Sequence, residues 1–221
     1  MENSLYFAVF EEKTDRAPLL RLGLGFDAEG APVFPALPEG CAGLVLHDLN
    51  PPSEAGAAAL INYVNQTGLP VVCDLERPAQ EIWSALLQEL PARLLTVPEQ
   101  YAAAPHASVL CAPYLPALPF ADWLAEKRRR FGSLVLDLQP LACALRCGER
   151  EFFAAAPPAG VSGRVSGALL CRCAAGLSEE GAPTLYFFDD RETLAARRAA
   201  ADVPGIVLLQ EWEALQVTTD K

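Results

Sequence analysis

The feature that most limits the possible folds is a set of short apolar runs, most of which end at a polar or acidic residue. The eight runs are Leu44–Leu46, Val71–Cys73, Leu94–Val97, Val109–Ala112, Leu134–Leu136, Leu169–Cys171, Leu185–Phe188 and Ile206–Leu209. Buried strands of this length, most of them followed by a helical or loop stretch, are typical of a (β/α)8 barrel. Two of the intervals are too short for a crossover helix. We therefore predict an α/β fold, a compact and irregular (β/α)8 TIM-type barrel, with an N-terminal β-hairpin element.

Residues 1–40 differ from the rest of the chain. Leu5–Phe10 is predicted as a strand, and Leu19–Phe26 and Pro32–Phe34 flank the turn signature Asp27-Ala28-Glu29-Gly30. We predict that residues 1–40 form a β-element packed on the barrel, that residues 41–221 form the barrel, and that together they make one structural domain. An alternative count takes Leu5–Phe10 as the first barrel strand and removes one of the later runs.

The charge balance restricts the possible partners. The sequence carries 28 Asp and Glu against 17 Lys and Arg, a net charge of −11. This balance disfavours nucleic acid and anionic membranes, and it is common among acidic bacterial enzymes. The sequence shows neither a secretory signal nor a membrane-spanning segment, and its seven cysteines are typical of reduced core thiols. We predict a cytoplasmic protein, with the oligomeric state left open.

Acidic residues follow most of the predicted strands. They are Asp48, Asp74, Glu76, Glu99, Asp137, Asp189, Asp190, Glu211 and Glu213. The carboxyl ends of barrel strands form the active-site face, so these acids are expected to surround one mouth of the barrel. Three of the strand ends share the pattern Asp-Leu followed by Asn, Glu or Gln, beginning at Asp48, Asp74 and Asp137.

The segment Asp74-Leu75-Glu76 is the sharpest catalytic candidate. Glycoside cleavage needs a proton donor for the leaving oxygen and a second group that stabilises the oxocarbenium-like centre. We predict that Glu76 is the acid, that Asp74 or Asp137 is its partner, and that no cofactor takes part. The alternative interpretation is that Asp74 caps the next helix and Glu76 is merely solvated.

Two segments near the C-terminus resemble glycoside hydrolase family 18 barrels. Tyr186–Arg197 resembles the seventh strand and following helix of that family, in which a Tyr-Asp-Asp-like turn opens a helix carrying a basic residue. Val203–Trp212 resembles the last strand, which ends in a Trp that lines the sugar site. The resemblance implies a carbohydrate ligand. The predicted substrate contacts are Asp48, Tyr114, Asp189, Glu211 and Trp212.

The catalytic signature of that family, Asp-x-x-Asp-x-Asp-x-Glu, is not intact. If Asp74 and Glu76 are its final pair, Leu69 and Val72 occupy its first two acidic positions. The family carries the signature on the fourth strand, whereas Asp74 follows the second of the eight runs. These departures favour a catalytically degenerate barrel that binds a glycan. Two alternatives stay open: an active glycoside hydrolase using Glu76, and a divalent-metal-dependent enzyme built on His47, Asp48, Asp74 and Asp137.

Overall fold

The structure is a computed structural model, and it describes residues 4–9, 18–76 and 78–208. By their internal contacts these residues fall into two compact units. We call residues 4–9, 18–76, 78–112, 127–137 and 203–208 the barrel unit. Residues 113–126 and 138–202 are called the antiparallel unit. That the whole chain forms one structural domain stays a prediction.

The described strands and helices alternate along much of the chain. The strands are β1 (Ser4–Val9), β2 (Leu19–Phe26), β3 (Pro32–Val33), β4 (Cys41–His47), β5 (Val71–Asp74), β6 (Leu95–Pro98), β7 (Ser108–Cys111), β8 (Leu134–Asp137), β9 (Ala142–Arg146), β10 (Phe153–Ala154), β11 (Arg164–Ser166), β12 (Cys171–Leu177), β13 (Pro183–Phe188) and β14 (Gly205–Leu208). The helices are α1 (Glu54–Thr67), α2 (Glu81–Glu89), α3 (Phe120–Phe131) and α4 (Arg191–Ala200), with short 3-10 turns at Ala92–Leu94 and Glu99–Tyr101.

Eight parallel strands of the barrel unit pair in a closed ring. Their order is β1-β14-β8-β7-β6-β5-β4-β2, and β2 pairs in turn with β1. The short strand β3 adds to the outside of β2 in the antiparallel sense. The barrel is irregular, as predicted, because β6 and β7 are joined by the Glu99–Tyr101 turn instead of a full helix.

Six of the eight predicted runs are barrel strands, and two are not. The runs at Leu169–Cys171 and Leu185–Phe188 lie in or beside β12 and β13, which pair in the antiparallel sense in another sheet. The two missing barrel strands are β1 and β2. Setting these strands beside the barrel was therefore wrong, and the alternative count that begins the barrel at Leu5–Phe10 is confirmed for β1.

The predicted hairpin is nevertheless present, because β2 belongs to it and to the barrel at once. β2 pairs with β3 across the turn at Asp27–Gly30, where the Asp27 carboxylate accepts hydrogen bonds from the Glu29 and Ala31 amides. Gly30 has a φ of 75°, a conformation that favours glycine. All but one of the eight β2 residues are buried, as expected for a strand covered on both faces.

The interior of the barrel is filled by alternate residues of its strands. The interior cluster consists of Ala8, Leu20, Leu22, Val45, Val72, Leu110 and Val207, with Tyr6 and Val135 against it. Small side chains near the N-terminal ends of the strands leave a cavity of about 180 Å³, whose lining includes Ala42, Thr96, Ser108 and Gly205. The cavity therefore lies at the end of the barrel opposite the predicted active-site face.

The antiparallel unit is a sheet of order β10-β9-β13-β12-β11, followed by α4. Its main segment, residues 138–202, is inserted between the barrel strands β8 and β14. The Asp190 side chain caps α4 by accepting the Thr193 amide, and the Thr193 hydroxyl accepts the Asp190 amide in return. None of the helices in the described ranges combines the length and apolar character needed to cross a bilayer.

Candidate functional site at the C-terminal mouth of the barrel

The strand register brings three titratable residues to the inner side of the mouth. Val45 and Val72 belong to the interior cluster and Val135 packs against it, and successive residues of a strand alternate between its two faces. Two residues further along the same strands stand His47, Asp74 and Asp137. His47 pairs with Asp74 in the register of β4 and β5, and Asp137 pairs with the interior residue Val207. All three therefore lie at C-terminal strand ends and face inward.

His47 and Asp74 are in direct contact. The imidazole Nδ1 lies 3.3 Å from the Asp74 Oδ2, and the two side chains are 21% and 22% exposed. Nδ1–H can donate to the carboxylate, which leaves Nε2 of a neutral imidazole as an acceptor. That Nε2 is buried and finds no hydrogen-bond partner among the described residues. His47, on the neighbouring strand β4, therefore orients the Asp74 carboxylate.

Asp48 does not occupy the same position relative to its strand as Asp74 and Asp137, the other aspartates of the repeated pattern. Because His47 is the residue in register with Asp74, Asp48 comes one residue later, just after the end of β4. Asp48 is buried, at 8% exposure. Asp74 and Asp137 share the inner side of the barrel, but Asp48, which begins the same three-residue pattern, does not share their position relative to the strands.

Glu76 lies two residues beyond Asp74 and is exposed. The alternative interpretation, in which Asp74 caps the next helix, does not hold. The residue that precedes α2 in the capping position is Gln80, and Asp74 contacts His47 instead. The part of that interpretation that leaves Glu76 in solvent does hold. A solvent-facing carboxyl beside a fixed carboxylate is an arrangement that an incoming ligand can reach.

The 3-10 turn Glu99–Tyr101 holds the loop that carries Glu76. The Gln100 side-chain amide donates to the Leu75 carbonyl at 2.6 Å, and the Tyr101 hydroxyl accepts the Gln80 amide at 3.0 Å. The Glu99 carboxylate accepts the Ala112 amide at 3.0 Å and the Lys127 ammonium at 2.6 Å. Sequence reasoning had placed Glu99 among the strand-end acids but missed Gln100 and Tyr101. The one available signal was a polar segment directly after a strand.

The corrected strand count changes the position of Asp74 within the barrel. In chain order the barrel strands are β1, β2, β4 and β5, so Asp74 ends the fourth of them. The family 18 signature is expected on the fourth strand. The mismatch in strand number, which had counted against the resemblance, is therefore removed. The mismatch at Leu69 and Val72 remains.

Two predicted substrate contacts lie in the antiparallel unit. Tyr114 is 4% exposed, and its hydroxyl donates to the Leu118 carbonyl at 2.6 Å. Its ring is in edge contact with Phe120 and Trp123, and burial raises the pKa of its hydroxyl. Asp189 forms an ion pair with Arg197, and both side chains are almost fully buried. Both residues therefore have evident roles within the core of that unit.

Asp189 follows the antiparallel strand β13, and the resemblance had expected a seventh barrel strand there. The seventh barrel strand is β8. The expected turn itself is present, because Asp189 and Asp190 precede α4, and α4 carries Arg197. The remaining predicted contacts, Glu211 and Trp212, lie outside the described residues.

A metal centre is not assembled from the predicted residues. Within the described ranges, no group of three or more His, Cys, Asp or Glu side chains is close enough to hold a metal ion. His47 and Asp74 come together, but Asp48 and Asp137 do not complete a ligand set with them. The described structure does not bring these four side chains together as a ligand set, and the alternative of a divalent-metal enzyme stays a prediction.

Similarity to known proteins appears in structure alone. No family model and no curated protein sequence match the chain. The spore cortex-lytic enzyme SleL of Bacillus megaterium QM B1551 matches with a TM-score of 0.55 at 12% identity, covering 94% of this chain and 70% of that one. SleL of Bacillus cereus matches with a TM-score of 0.50 at 10% identity, covering 96% and 70%.

The sporulation-specific glycosylase YdhD of Bacillus subtilis also matches, with a TM-score of 0.51 at 9% identity over 80% of this chain and 84% of that one. Identities this low establish the fold and nothing finer. The resemblance to glycoside hydrolase family 18 is thereby confirmed as a likeness of fold to spore glycosylases.

Proposed function

We propose that this chain is a glycosidase-type barrel that binds an N-acetylated glycan at its C-terminal mouth and cleaves it with Glu76 as the proton donor. The observation that carries the proposal is the position of Asp74-Leu75-Glu76 at the end of the fourth barrel strand. Family 18 barrels use this strand for their acid. The matched structures include enzymes that lyse the spore cortex, so peptidoglycan-type glycan is the substrate class we extend to this chain.

The two carboxylates would divide the work of glycoside cleavage. Glu76 is exposed, so its carboxyl can approach the oxygen of a glycosidic bond from the loop above the mouth. Asp74 is oriented by His47 and supplies negative charge beside the oxocarbenium-like centre. Asp137 faces the same interior from β8 and is the second candidate for the partner role.

A second candidate function is glycan binding without turnover. Val72 occupies one of the acidic positions of the family signature, and it belongs to the apolar interior cluster at 5% exposure. A valine can neither exchange a proton with Asp74 nor hold its charge. This observation supports a barrel that retains the binding cleft while catalysis is slow or lost.

The test is hydrolysis of chito-oligosaccharides and peptidoglycan fragments by the wild-type protein and by Glu76→Gln. We expect Glu76→Gln to lose turnover about 100-fold or more and to retain glycan binding, because general acid catalysis contributes on this order. The matched control is Glu89→Gln, which alters an exposed glutamate at the end of α2 and should leave turnover unchanged.

Product release by liquid chromatography and binding by calorimetry separate the candidates. Turnover that vanishes only in Glu76→Gln supports the hydrolase. Glycan binding with no turnover in any of the three proteins supports the second candidate. Neither binding nor turnover by the wild type would contradict both for these glycans.

A further inference from the structure

We propose that the Glu99–Tyr101 turn is a positioning device that holds Glu76 in the orientation needed for proton donation, with Gln100 and Tyr101 as positioning residues. The inference rests on the proposed function of Glu76. It concerns only residues of the barrel unit, and it assigns a role to a 3-10 turn that takes no part in the chemistry itself.

The first contact fixes the backbone between the two carboxylates. Gln100 Nε2 donates to the carbonyl oxygen of Leu75 at 2.6 Å. Leu75 is 2% exposed, so its side chain is held in the core while its carbonyl is held by the amide. A peptide unit that cannot rotate sets the direction in which the next residue leaves it. The next residue is Glu76.

The second contact fixes the far end of the same loop. The Tyr101 hydroxyl accepts the backbone N–H of Gln80 at 3.0 Å, and Gln80 is the residue that precedes α2. Tyr101 is 3% exposed, so its ring is a rigid support for that hydroxyl. The chain is therefore held at Leu75, just before Glu76, and again at Gln80 by adjacent residues of one turn.

The turn is itself attached to the barrel at a third place. The Glu99 carboxylate accepts hydrogen bonds from the Ala112 amide, just after β7, and from the Lys127 ammonium of α3. The Glu99 side chain is 16% exposed and the Lys127 side chain is 18% exposed. Charge-assisted bonds of this length are among the stronger polar contacts in proteins. The loop of Glu76 is thus connected through three consecutive residues to the next two barrel strands.

A merely structural contact and a positioning contact differ in their kinetic effect. A general acid matters most when the leaving oxygen is a poor leaving group, and it matters little when a para-nitrophenolate leaves. Misplacing Glu76 should therefore slow cleavage of chitotetraose far more than cleavage of para-nitrophenyl di-N-acetylchitobioside. Loss of folded protein would lower both rates equally.

The experiment compares both substrates in the wild type, Tyr101→Phe and Gln100→Met. Tyr101→Phe removes only the hydroxyl acceptor and keeps the buried ring, and Gln100→Met alters an exposed residue, so both variants should fold. We expect kcat on chitotetraose to fall about tenfold, with KM nearly unchanged and less than about a twofold change on the nitrophenyl glycoside. The matched control is Tyr186→Phe, which removes a hydroxyl that donates to the Leu177 carbonyl in the antiparallel unit.

The outcomes distinguish the positioning role from the proposed function. Equal losses on both substrates, or a Tyr101→Phe enzyme that behaves like Tyr186→Phe, would overturn the positioning role while an active wild type still supports the function. A wild type that cleaves neither substrate would overturn the function, and the positioning role would fall with it.

Discussion

Asp189 and Arg197 show what a fully buried ion pair requires of its surroundings. The Asp189 carboxylate also receives the Leu141 amide at 2.6 Å and the Thr193 hydroxyl at 2.9 Å, and the Arg197 guanidinium lies 5.7 Å from the centre of the Tyr114 ring. Burial raises the pKa of Asp189 above its ordinary value, and Arg197 and the hydrogen bonds oppose that rise. Removing one partner leaves the other charge buried without compensation.

We predict that Arg197→Met lowers the free energy of unfolding by about 3–5 kcal/mol near neutral pH. Without the guanidinium, the folded-state pKa of Asp189 rises further above its unfolded value. A carboxyl group whose pKa is higher in the folded than in the unfolded state stabilises the fold at low pH, and this contribution is lost as the pH rises through the folded pKa. The deficit of the variant should therefore be larger at about pH 8 than at about pH 4.5.

Urea denaturation of the wild type and Arg197→Met at both pH values measures this deficit. Arg198→Met, on the same helix but partly exposed, is the control and should cost less than about 1 kcal/mol. A deficit that shrinks as the pH rises would show that the electrostatic account of Asp189 is wrong.

The start of α1 is built on an unusually close approach to the β2–β3 turn. The Ser53 hydroxyl donates to the Gly30 carbonyl at 2.9 Å and accepts the Gly56 amide at 3.0 Å, and the Ser53 amide donates to the same carbonyl. A Cβ added at Gly56 would come within 2.1 Å of that carbonyl oxygen. The hairpin turn and the first turn of the helix are therefore hydrogen-bonded to each other and closely packed.

This close packing is expected to reverse the usual effect on stability of replacing a helical glycine with alanine. Replacing a helical glycine with alanine ordinarily stabilises by up to about 1 kcal/mol. We predict that Gly56→Ala instead destabilises by about 1–3 kcal/mol, because the new methyl group has no space beside Gly30. Thermal unfolding followed by circular dichroism measures the sign, and a raised midpoint would contradict the close approach.

The strands were largely predictable from the sequence because their apolar runs are short and bounded by turns. The assignment of strands to the barrel was wrong at β2. The turn signature correctly indicated a hairpin with β3, but β2 also pairs with β1 and closes the barrel. The assignment was wrong again at β12 and β13, whose apolar runs resemble barrel strands although they pair in the antiparallel sense. Pairing direction is decided by contacts between distant segments, which a local pattern does not carry.

The candidate site was predictable in part for the same reason. Asp74 and Glu76 were found because two carboxylates follow one strand. The match between His47 and Asp74 depends on a register between strands, and the contacts of Gln100 and Tyr101 depend on backbone atoms of a distant loop. Side chains that bind backbone groups leave no pattern of residue types, so sequence reasoning could not select them.

The barrel as a whole carries the proposed site at one end and is incompletely filled at the other. The lining of the cavity of about 180 Å³ near the N-terminal strand ends includes several small side chains, among them Thr96 of β6. An unfilled cavity forfeits contacts that a larger apolar side chain would make. Because the predicted chemistry lies at the opposite end, stability and activity can be altered separately.

We predict that Thr96→Ile raises the free energy of unfolding by about 0.5–2 kcal/mol, the usual gain from filling a cavity. The added carbon atoms enter the cavity, and glycan turnover or binding at the mouth should not change. Chemical denaturation and the glycan assay on the same preparation test both halves. A destabilised variant would mean that the cavity cannot accept the larger side chain.

The order in which the ring closes has a consequence for how the protein is made. β1, the earliest of the described strands in the chain, lies between β2 and β14, and β14 is the last described strand. Until residues 205–208 are synthesised, β1 and β8 each present an unpaired edge, and such edges readily pair with other chains. A chain that lacks β14 is therefore exposed to aggregation through two open edges, and closure of the ring joins the two described strands that are farthest apart in the sequence.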